Sequence, residues 1–200
     1  MTLRRRSAAC WLPLLLAAAP TSAPAQPPPL DAWGLDPAAV LASGEELLLR
    51  APDSALDGLL QALHASAQSP RDAQALCALF DPRGEPGLER LQQLSGRLGD
   101  DTRARFADAV AVLVVSAAQS PRQPYDPAQA RQALKAAGVR AALLHDGFTA
   151  ALAGDDHDAR CRAVGQLLEV VRAQPLAERA AVTRLLLGEG LGQWLGAGRE

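Results

Sequence analysis

The sequence predicts an all-α fold, a compact bundle of about eight short helices, and three observations carry that reading. Ile is absent and aromatic residues make up only 4 % of the chain, whereas Ala and Leu dominate with Arg, Gln and Glu between them. Those are helix formers, and the β-branched and aromatic residues that fill sheets are scarce. Helix-start signals recur along the chain, a capping side chain followed by Pro at Asp36-Pro37, Ser69-Pro70 and Asp126-Pro127. Leucines then repeat at helical spacing behind several of these starts.

The first helix is expected from Ala38 to Arg50, after the Asp36-Pro37 start. Asp53-Ser54 restarts the chain as a helix to about Ala67, with Leu56, Leu59, Leu60 and Leu63 on one face. Ser69-Pro70 opens a third that carries Leu76, Cys77 and Phe80, and residues 81–85 end it. Leu88, Leu91, Leu94 and Leu98 give an amphipathic segment closed by Gly99. Asp100-Asp101 is read as the cap of the next helix, which contains the most apolar run beyond the N-terminal segment, Val110 to Val115. With so little polar face, that helix is expected to be the central buried one. Asp126-Pro127 starts a short helix that Gly138 ends. Val139 to Ala153 follows, presenting Leu143, Leu144, Phe148 and Leu152, with Gly154 as its stop. Asp155-Asp156 caps the helix bearing Cys161, Val164, Leu167, Leu168 and Val171, and Pro175 opens the last one through Leu187.

Domain organisation follows from the ends. Arg4, Arg5 and Arg6 precede an apolar stretch from Ala8 to Ala19, and Ala23-Pro24-Ala25 gives the small-x-small pattern of a signal-peptidase site. A dozen apolar residues fall short of the roughly 20 needed to span a bilayer, so residues 1–25 read as a secretory signal peptide cleaved after Ala25. The general secretory route fits better than the twin-arginine route, because Ser7 and Ala8 follow the arginines where bulky apolar residues belong. Residues 26–35, with Pro27-Pro28-Pro29 and Trp33, form a Pro-rich linker; residues 36–187 form the helical domain. In the tail, residues 188–200, five glycines oppose a stable helix, and Leu191, Trp194 and Leu195 are read as packing onto the domain or as an exposed hook.

Without residues 1–25 the chain keeps 17 basic against 22 acidic residues, net −5. That balance argues against nucleic acid or an anionic membrane surface as main partner. Cys10 precedes most of the apolar stretch and is not placed to be a lipoprotein cysteine. Cys77 and Cys161 remain, and an even count in an oxidising compartment predicts one disulfide between them. The pentapeptide from Ala67 to Arg71 recurs identically from Ala118 to Arg122, and more weakly at Ala173 to Pro175. A solenoid of helical hairpins would repeat in this way, although repeated stop-and-start chemistry accounts for it in a compact bundle.

Candidate chemistry is sparse. Asp155, Asp156, His157 and Asp158 could together bind a divalent cation, but consecutive helix-start residues fan outward and acids are favoured there by the macrodipole alone. Capping is therefore the reading adopted, and no metal is assigned. His64 and His145 read as partly buried or surface side chains, with no nucleophile and orienting acid in evidence. No GxSxG, HExxH, phosphate-binding glycine loop or EF-hand spacing occurs. Arg103, Arg105, Arg160, Arg162, Arg172, Arg179 and Arg184 read as solvated faces with local pairs such as Asp158–Arg162, and the last two helices as an anion-binding face at most. Glu45 and Glu46 likewise read as a solvated face. Near-absence of Lys, with only Lys135, beside high Ala, Arg and Gly usage fits a GC-rich bacterial genome.

The sequence thus points to a secreted or periplasmic protein without assigned catalytic, cofactor or metal residues. It is expected to act by binding another exported or envelope protein or as a structural accessory. The rival readings are a small exported hydrolase with a site around His145, His157 and nearby acids, and a carrier of an apolar ligand with a Leu/Val-lined cavity.

Overall fold

The computed structural model describes residues 43–78 and 88–196, and every regular element among them is a helix. In chain order these are α1 (Gly44–Arg50), α2 (Asp53–Ala67), α3 (Pro70–Cys77), α4 (Leu88–Ser95), α5 (Asp100–Gln119), α6 (Pro127–Leu144), α7 (Phe148–Ala153), α8 (His157–Arg172) and α9 (Leu176–Gly196). The signal segment, the Pro-rich linker with Trp33, the Asp36-Pro37 start, Phe80 and the loop of residues 81–85 lie outside the described residues.

Starts encoded by neighbouring residues form as expected. Ser69 Oγ accepts from the Asp72 N–H with Pro70 in the first turn of α3. Asp126 Oδ1 accepts from Ala128 and Gln129 N–H ahead of α6, and Asp156 Oδ1 from Asp158 and Ala159 N–H ahead of α8.

Helix α2 is the centre of the bundle, packing against α3, α5, α8 and α9. Its Leu60 joins Ala137, Ala141, Phe148, Ala163, Leu168, Val171 and Val182 in the main core. One turn earlier, Leu56 and Ala55 join Leu48, Ala51, Leu113, Ala117 and Ala180. Many of these buried positions are Ala, which lets helix backbones approach closely. Contrary to the sequence expectation, α5 is not central. Leu113 and Val114 of its apolar run are buried, but Val112 and Val115 are 59 % and 43 % exposed. An all-apolar stretch has no polar side to reveal which way it faces, and here its outer half meets water.

Two boundaries also differ. Gly138 does not end a helix: α6 runs through it to Leu144, and a side chain there would meet nothing within 4 Å. The break comes at residues 145–147, where Gly147 has φ +77°, a left-handed conformation that glycine adopts without strain. At the chain's end, α9 continues to Gly196 despite its glycines. Propagating an established helix fixes one residue per hydrogen bond gained, so a helix anchored by Ala180, Val182 and Leu185 can carry several poor formers.

The start of α5 is held from a distance. Asp100 and Asp101 do not cap it; the cap position is Gly99, with no side-chain cap bond, and Asp72 of α3 anchors the residues on either side of the start. Buried Asp72 takes the Gly99 N–H on Oδ1 at 2.9 Å and the Thr102 hydroxyl on Oδ2 at 2.7 Å. These bonds, the Gly99 N–H first, hold its carboxyl below the usual range. A carboxyl lowered on folding contributes stability above its unfolded value of about 4, and loses that contribution as pH falls through the folded value. Asp72→Asn is therefore expected to cost about 1–3 kcal/mol at neutral pH and to flatten the loss of stability below about pH 4, read from urea midpoints across pH.

The repeated pentapeptide adopts two structures. Ser69 caps α3 directly, whereas Ser120 opens a six-residue extended connection before Asp126. Identical sequence here marks a helix stop, and the residues beyond it decide how the chain restarts.

Candidate functional site

The cysteines expected to pair do so. Cys77 at the end of α3 and Cys161 in α8 are joined, with Cα atoms 5.5 Å apart and a sequence separation of 84. The bond ties α3, otherwise held by Ala75, Leu76 and Leu98, to a helix of the main core.

The histidines do not converge. His64 on α2 is 13 % exposed in its side chain, and its Nε2 pairs with the Glu169 carboxylate of α8. Glu169 also accepts from Arg172 at 2.9 Å, and these two partners, Arg172 first, hold its carboxyl below the usual range. This is a polar tie between two helices with no nucleophile beside it. His145 follows the last residue of α6, and His157 opens α8 with its Nδ1 buried and without a hydrogen-bond partner.

A concavity of about 420 Å³ lies between α7 and the first half of α8. Phe148, Ala151 and Ala163 line it together with Asp146, Asp155, Asp156 and Arg162, but His145 and His157 do not. Its walls include no Ser, Thr, Cys, Lys or His; the polar side chains they supply are carboxylates, one guanidinium and the Gln166 amide. The lowered carboxyl of Asp156 has a structural cause, the Ala159 and Asp158 N–H groups at the helix start. Among the described residues, no group of three His, Cys, Asp or Glu side chains is placed to hold a metal ion. Asp158 and Arg162, spaced for an ion pair, do not form one.

Several arginines close helix ends, among them Arg160, Arg179 and Arg184, which the sequence suggested as solvated. Arg184 on α9 is 3 % exposed and donates to the Leu48 and Ala51 carbonyls ending α1. Arg50 donates to the Ala118 and Ser120 carbonyls at the end of α5, and Arg160 to Gly154 O after α7. Arg179 grips Asp57 of α2 with two bonds and adds a third to Gln174 O. Glu46 is also tied down, by a two-pronged Arg122. Because helix C-termini leave carbonyls without partners, the sequence signal for these roles would have been Arg density exceeding local acid partners.

The most exposed large apolar side chains among the described residues stand on the outside of α6. Ala130, Ala137 and Ala141 face the core, and Val139 and Leu143 stand on the opposite side, 62 % and 83 % exposed. Leu144 is exposed as well, so of the apolar face expected from Leu143, Leu144, Phe148 and Leu152 only Phe148 is buried. Small residues take the tightly packed side and leave the larger ones out.

Among known proteins, no family model, no curated protein and no solved structure matches this chain.

Proposed function

We propose that this chain is an exported, non-catalytic protein that works by binding another protein through the outward side of α6. Export is supported by the leading Arg-rich and apolar segment with its small-x-small site and by the Cys77–Cys161 bond. The observation that carries the binding reading is the pair Val139 and Leu143, one helical turn apart and largely exposed. Apolar side chains gathered on one side of a helix gain from being covered, by about 25 cal/mol for each Å² removed from water.

The test compares the chain with a Val139→Asp/Leu143→Asp variant, each tagged, crosslinked in cells of its own host and isolated with bound proteins. One defined partner is expected to fall by about tenfold or more in the variant. The unfolding midpoint should hardly move, since exposed substitutions shift stability within about 0.5 kcal/mol. Equal recovery of every bound protein by both chains would sink the reading. Mature chain beginning at Gln26 in the exported fraction checks the export half independently.

A further inference from the structure

We infer that the occupant of this face is an acidic amphipathic helix of another protein, with apolar residues flanked on both sides by carboxylates. The inference rests on the binding reading above and adds the chemistry of the partner. At 100° per residue, Val139 and Leu143 sit at the centre of the exposed arc of α6, directly opposite Ala130, Ala137 and Ala141. Lys135 lies on one flank of that ridge and Arg140 on the other, both exposed and neither with an ion-pair partner among the described residues. Helix α6 contains no Asp or Glu, in a chain whose acids outnumber its bases. An apolar ridge with one free cation on each flank is complementary to an apolar stripe flanked on each side by a carboxylate, the arrangement by which paired helices set register and partner.

The same features weigh against other occupants. A second copy would bring Lys135 and Arg140 against their own counterparts, like charge on like. A helix lying in a bilayer surface needs a broad apolar face, and the broad face of α6 is already spent on the core. The ridge spans one turn, about 6 Å, which suits a partner helix crossing it rather than a lipid plane.

The experiment places a benzoylphenylalanine photocrosslinker at position 139 of the full chain, in cells of its own host, and maps the crosslinked peptide by mass spectrometry. The expected product is a segment of another protein with apolar residues at helical spacing flanked by Asp or Glu. Lys135→Glu/Arg140→Glu should lower its yield by about tenfold, and the purified pair should weaken steeply as salt rises. If the reversed charges disturb folding, Lys135→Gln/Arg140→Gln with the salt titration gives the same reading. A crosslink to lipid, to a second copy or to the chain's own N-terminal residues overturns the inference. A protein crosslink that survives charge reversal and salt also overturns it but leaves the binding reading intact. No crosslink to any other protein overturns both.

Discussion

Replacing Arg184 by leucine is expected to destabilise the protein by about 3–5 kcal/mol, among the largest effects available to one substitution here. Its Nε reaches the Leu48 carbonyl at 2.9 Å and its Nη2 the Ala51 carbonyl at 2.6 Å, with Asp53 Oδ1 at 3.5 Å. The guanidinium also lies 5.3 Å from the centre of the Tyr125 ring. Burial pushes its pKa below the ordinary arginine value, so a cost of desolvation is already built into the fold. Buried ion pairs can often be exchanged for apolar side chains without loss, because both charges leave together. That escape is closed here, since the partners are backbone carbonyls that no substitution at 184 can remove. Leucine would keep much of the apolar packing and leave two buried acceptors unpaired, each costing about 1–3 kcal/mol. Arg184→Lys should recover only part of the loss, because one ammonium lacks the planar fork that spans both oxygens. Urea unfolding followed by helical circular dichroism measures this directly, and the melting temperature should fall by roughly 10 °C. A loss below about 1 kcal/mol for the leucine variant would mean that α1 is held by its apolar contacts alone.

This arginine shows where sequence reading stops. Fold class was legible because it depends on composition and spacing, and the starts at Ser69, Asp126 and Asp156 were legible because cap and capped groups lie within three residues. The side chains that hold helix termini from afar were not, because such partners are remote: Leu48 O and Arg184 are separated by 136 residues, and Asp72 reaches Gly99 across 27. Nothing in a local window distinguishes an arginine that closes a distant helix from one that meets water. The boundary between α6 and α7 was misplaced for a different reason. Gly138 and Gly147 look equivalent in sequence, but only Gly147 occupies a backbone conformation that favours glycine. The candidate face of α6 was inverted by hydrophobicity itself. Leucine is the stronger core former, yet a close helix crossing selects Ala130, Ala137 and Ala141 and turns Val139 and Leu143 outward. Charge on that face was visible as residues, Lys135 and Arg140, but which side they shared with Leu143 could be known only once the buried side was fixed.

Cutting the Cys77–Cys161 bond is expected to cost about 4.5 kcal/mol, the chain-entropy value for a loop of this length. The bond matters locally as well as globally. Helix α3 packs through a small cluster, Ala75 and Leu76 with Leu98, and through the Asp72 bonds to Gly99 and Thr102. Without the bond, α3 should open before the rest, and its amides should lose hydrogen-exchange protection while those of α2 and α9 keep theirs. A Cys77→Ala/Cys161→Ala variant tests the loss without leaving a free thiol, and its unfolding slope in urea should rise because the uncrosslinked unfolded chain exposes more surface. A double variant as stable as the oxidised parent would mean that the bond merely records two neighbouring cysteines. The magnitude also links stability to place. Domains of this kind are stable by about 5–15 kcal/mol, so a reducing compartment would remove a quarter or more of the total. A measured loss of that size would let the export proposal draw on the whole fold as well as on the first 25 residues, since such a chain is best kept where disulfides persist.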